Sequence, residues 1–105
     1  MSERRAIESP VPIGLGFNRP FTATLPTSWG APTGTPTLSI FELPARTDVT
    51  ATTTSGTNSV AAQVITTKSV LRSGMTPGKL YEAVLEFALT GGGADSCDWI
   101  MDCED

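Results

Sequence analysis

From Tyr81 to Leu89 every odd position is apolar (Tyr81, Ala83, Leu85, Phe87, Leu89), while Glu82 and Glu86 fall on even ones. That period of two predicts a strand with one packed face and one largely wet face. From Cys97 to Cys103 the odd positions are apolar again, and Asp98 and Asp102 point the other way. Gly91, Gly92 and Gly93 separate the two stripes, so the pair reads as a hairpin. Thr76, Pro77 and Gly78 launch it: proline pre-sets φ at the second turn position, and glycine accepts a positive φ at the third.

Shorter strand signals precede the hairpin. Residues 21–25 place Phe21, Ala23 and Leu25 on one face, and residues 37–43 place Leu38 and Ile40 together before Pro44 ends the run. Between them, residues 26–36 read as a turn-rich loop carrying Trp29. Residues 48–54 and 59–67 read as two strands joined by a hairpin loop at 55–58, and Val70 with Leu71 as a short edge segment. The middle of the chain is crowded with threonine, which is stiff at χ1 and suits pleated surfaces better than helices. No apolar repeat of helical period persists beyond about a turn.

Six or seven short strands with turn signals between them predict an all-β fold, a single sandwich of the immunoglobulin-like kind. Its expected core includes Leu38, Ile40, Val64, Tyr81, Leu85, Phe87 and Trp99. Residues 1–20 read as an extended N-terminal arm and residues 21–105 as the sandwich domain. In the arm, Pro10, Pro12 and Pro20 remove backbone donors, and Gly14 and Gly16 interrupt periodicity. Val11, Ile13, Leu15 and Phe17 still alternate, which suits docking on a surface, whether its own sandwich or a neighbouring subunit's.

Charge adds an asymmetry. The net charge is −4 and no Lys or Arg follows Lys79, whereas Arg4 and Arg5 sit together near the N-terminus. Two readings stay open: a solvated acidic end, or opposed ends that steer copies into register. The seven basic residues form no stripe that would release phosphate counterions, so nucleic acid is not an expected partner. At 105 residues the chain has one domain's length, and no apolar run approaches the ~20 residues of a membrane helix. The N-terminal residues lack the pattern of a signal peptide, which makes a cytoplasmic site of synthesis the expectation.

Candidate chemistry is sparse. The chain has no histidine and two cysteines, so neither a histidine-based nucleophile pair nor a metal site is expected. Six residues at ~3.3 Å each put Cys97 and Cys103 about 20 Å apart on one strand, too far for a disulfide. Glu82 and Glu86 are about 13 Å apart on the same argument, beyond the reach of a paired-carboxylate mechanism. No catalytic residue and no cofactor is expected. Trp99 reads as core, and Trp29 as either a lid on the core or an interface anchor.

Several segments resemble small virion proteins of tailed bacteriophages. They are residues 48–60, Val64-Ile65-Thr66-Thr67, residues 75–87 with the Thr-Pro-Gly-Lys-Leu-Tyr element, and Trp99-Ile100-Met101-Asp102-Cys103. The resemblance covers about the C-terminal sixty residues. It implies a non-enzymatic virion structural protein made in the cytoplasm of a bacterial host. Such a protein would act in many copies as an adaptor at the head–tail junction (neck) or at a fibre attachment site. Its implied partners are connector, tail or fibre subunits and copies of itself, with no membrane. Alternatives are a capsid decoration protein, or an immunoglobulin-like binding module of a bacterial surface or carbohydrate-active protein. The expected interface residues are Arg4, Arg5, Val11, Ile13, Leu15, Phe17 and Trp29.

Overall fold

A computed structural model describes residues 10–104. The strands are β1 (Val11–Ile13), β2 (Asn18–Arg19), β3 (Thr22–Thr24), β4 (Pro32–Glu42), β5 (Thr47–Asp48), β6 (Thr54–Ser55), β7 (Ser59–Ala61), β8 (Val64–Thr66), β9 (Ser69–Leu71), β10 (Leu80–Leu89) and β11 (Ala94–Cys103). A single helical turn, α1 (Thr50–Thr53), lies between β5 and β6, and short 3₁₀ turns cover Thr27–Trp29 and Arg72–Gly74.

The fold is all-β and sandwich-like. One layer is a five-stranded sheet in the order β1-β11-β10-β4-β5. The other consists of two three-stranded pieces, β2-β9-β6 and β3-β8-β7, whose members follow one another in the chain. They act as one layer of three strands interrupted in the middle. Phe21 and Thr67 stitch the break: the Thr67 N–H donates to the Phe21 carbonyl at 2.9 Å, and the Phe21 N–H donates to Thr67 Oγ1 at 3.0 Å.

The stripes read from the sequence set the core. Tyr81, Ala83, Leu85 and Phe87 of β10 and Cys97, Trp99, Met101 and Cys103 of β11 are all buried. Their antiparallel register runs from Leu80 opposite Asp102 to Ala88 opposite Ala94. Tyr81 also pins the turn that starts its strand. Its hydroxyl accepts from the Thr76 N–H at 2.7 Å and donates to Glu42 Oε2 at 2.9 Å. Burial raises the pKa of this phenol.

Several local expectations are corrected. The loop expected at 26–36 gives way to strand at Pro32. Four β4 residues span two β10 residues between Thr37–Glu86 and Thr33–Ala88, so a bulge absorbs Gly34, at φ 71°, and Thr35. Residues 48–54 are largely the α1 turn, because Thr52 Oγ1, Thr53 Oγ1 and Thr54 Oγ1 all bond back to carbonyls three or four residues earlier. The tight hairpin turn is not at 55–58. It falls at Ala62 and Gln63, between β7 and β8, with Ala62 at φ 53°. That turn reverses the side-chain phase expected from a continuous strand, so Ile65 is buried and Val64 only half-buried. Val70 is fully buried in the middle strand of its sheet, not on an edge.

Candidate interaction surface

The N-terminal segment is extended as expected, yet over the described residues it is built into the sandwich. β1 pairs parallel with β11, placing Val11, Pro12 and Ile13 opposite Met101, Asp102 and Cys103. Ile13 is fully buried, and its carbonyl accepts from the Glu104 N–H at 3.0 Å. Val11 is half-buried against the same core. A division at residue 20 therefore runs through a packed unit, and Ile13, expected at an interface, is core. The reason is that alternation reports which residues share a face and not which body covers that face.

Beyond Ile13 the chain crosses to the other layer in four residues. The Phe17 N–H closes a turn on the Gly14 carbonyl at 3.1 Å, with Gly16 at φ 82°. Leu15 stands at the tip and is 78% exposed. Phe17 turns inward, its ring 5.7 Å from Phe21, and the Arg19 guanidinium lies 4.8 Å above it. Arg72 locks this corner from behind. Its backbone N–H donates to the Phe17 carbonyl at 3.0 Å, and its buried guanidinium donates to the Glu104 carbonyl at 2.8 Å.

Leu80, 45% exposed, lies at the same end of the sandwich. It belongs to a cross-strand row in which Pro12 faces Asp102 and Asp102 faces Leu80. Beside it, Leu43, Pro44, Gly78 and Lys79 line a shallow cleft with Leu80. Leu15 and Leu80 are thus two large apolar side chains at this end that the domain does not bury, with Asp102 between Pro12 and Leu80. The sequence does carry a signal for Leu80: its even position in the β10 stripe puts a large apolar side chain on the wet face. Arg72 left no sequence signal, since its burial depends on three elements meeting.

Trp29 lies elsewhere. It is half-buried near the far end of β10, its ring stacked 6.5 Å from Phe87 at 19°. Nine residues of strand separate Leu80 from Leu89, about 30 Å. Trp29 therefore closes the opposite end of the core, and the expected interface residues do not form one patch. Arg4 and Arg5 lie outside the described residues.

The outer face of the five-stranded sheet carries Glu86, Asp98 and Asp102, with Glu82 engaged by Arg46 at 2.8 Å. Arg46 also lies 4.1 Å above the Phe41 ring. Among the described residues, no group of three or more His, Cys, Asp or Glu side chains is arranged to hold a metal ion. An open furrow on that face lies between Thr35, Thr37, Glu86 and Ser96. Comparison with protein families, with characterised proteins and with solved structures finds no match for this chain.

Proposed function

We propose that this chain is a non-enzymatic structural protein of a tailed-phage virion, acting in many copies as an adaptor at the head–tail junction or a fibre attachment site. It is made in the host bacterial cytoplasm and works by contact with other virion subunits and with copies of itself. The observation that carries the reading is the exposure of two large apolar side chains, Leu15 and Leu80, at one end of the sandwich, which the domain leaves in water. Exposed apolar surface is what a partner subunit would cover. The segment resemblance to phage virion proteins supplies the class of partner. The basic pair Arg4-Arg5 precedes β1 in the chain, and it adds orientation toward an acidic neighbour.

Two variants test the proposal in particles. A chain lacking residues 1–9 keeps every described core residue and loses Arg4 and Arg5. A Leu15→Asp/Leu80→Asp chain changes only exposed side chains. Both should fold, by circular dichroism, and fail to enter particles or to bind connector, tail or fibre subunits. Normal incorporation of both would overturn the reading.

A further inference from the structure

We infer that β1 is an exchangeable strand, and that the partner surface it fits is the β11 edge of a second copy of this chain. The inference rests on the assembly role proposed above and names the contact that delivers it.

β1 is three residues long and is held at a sheet edge by parallel pairing with the last three residues of β11. Short edge strands and parallel ladders are the weaker kinds of pairing. One apolar side chain, Ile13, is fully sunk in the core and anchors it. The groove that receives Ile13, between the end of β11 and the Arg72 corner, is the same in every copy. A neighbour's β1 would therefore find its own native contacts there, and only the connecting segment would change. Exchange of an identical element is a low-cost route to assembly for this reason.

The connection has the character of a hinge. Gly14 and Gly16 flank Leu15, and an added Cβ at either glycine would meet nothing within 4 Å. The turn is closed by the Phe17–Gly14 hydrogen bond. In the closed chain Leu15 is left in water. Exchange also explains how a segment that completes its own domain can serve assembly: the residues preceding β1 travel with it to the neighbour.

The test uses the full chain carrying Pro12→Cys and Asp102→Cys, register partners on β1 and β11. Neighbouring strands lie ~4.8 Å apart, within disulfide range. After mild oxidation at high protein concentration, a non-reducing gel reads whether the bridge closes within one chain or between two. A second chain carries the same pair and lacks residues 14–16. Its two remaining steps from Ile13 to Asn18 reach about 7 Å, short of the ~10 Å between layers, so β1 cannot fold back on its own domain. Covalent dimers are expected in the first chain, rising with concentration, and should dominate in the second. Bridges confined within single chains in the first chain would overturn the inference, whatever the second does. Covalent dimers in a protein that no particle admits would leave the exchange standing and sink the virion reading. Particle entry with intrachain bridges alone would do the reverse.

Discussion

The two layers of this sandwich hold together in different ways. In the five-stranded layer, β4, β10 and β11 run for ten or eleven residues, and alternation, broken only at the β4 bulge, puts their buried side chains in register. In the other layer each strand path is broken into pieces of two or three residues. There, side chains replace the ladder. Asn58 Nδ2 donates to the Pro36 carbonyl at 2.9 Å, and Asn58 Oδ1 accepts from the Lys68 N–H at 2.8 Å. Gln63 Nε2 reaches the Gly30 carbonyl at 3.1 Å. Long strands are specified by periodic burial; short ones need particular polar residues at particular positions. Damage to the first layer should act through lost packing, and damage to the second through unmade hydrogen bonds and steric conflict.

The largest effect is expected in the long-stranded layer. Phe87→Ala removes a buried ring that also supports Trp29 and should cost about 3–5 kcal/mol, read by urea denaturation. A cost below about 1 kcal/mol would show that Trp29 collapses into the space. In the interrupted layer, Gly74→Ala should cost about 3 kcal/mol, because a Cβ there would run into the Thr52 carbonyl and push α1 away. Asn58→Ala should follow at about 2 kcal/mol, as it strands the Lys68 N–H and the Pro36 carbonyl. Faster hydrogen exchange confined to β6–β9 would locate that loss in the broken layer; a uniform change would blur the contrast between the layers.

Tyr81→Phe should cost about 1 kcal/mol, since the Thr76 N–H loses its acceptor at the strand start. The same residue makes stability depend on pH. Its folded pKa is raised by burial, so the folded chain holds the proton more tightly than the unfolded chain. The contribution is complete below the ordinary tyrosine value of about 10 and is lost as pH rises through the folded pKa. Stability measured upward from pH 9 should fall in the native chain, and less so in Tyr81→Phe. The smallest effect belongs to Arg46→Ala, which removes an exposed ion pair with Glu82 and a contact over Phe41. It should cost below about 1 kcal/mol and shrink further in salt.

The sequence by itself determined the fold class, the β10–β11 hairpin, its register of buried side chains and most of the core, because alternation over ten residues leaves one consistent packing face. It also marked Val11, Ile13, Leu15 and Phe17 as alternating apolar positions of an extended segment. Only the tertiary structure decided that β1 completes its own sheet, that Trp29 and Leu15 lie at opposite ends, and that Arg72 is buried behind the N-terminal turn. Those facts depend on which element covers which, a choice made among distant segments once the chain is compact. The interrupted layer shows the same limit locally. Threonine bonds equally well to a helical carbonyl or a strand neighbour, so a run such as Thr50–Thr53 is assigned by what packs against it.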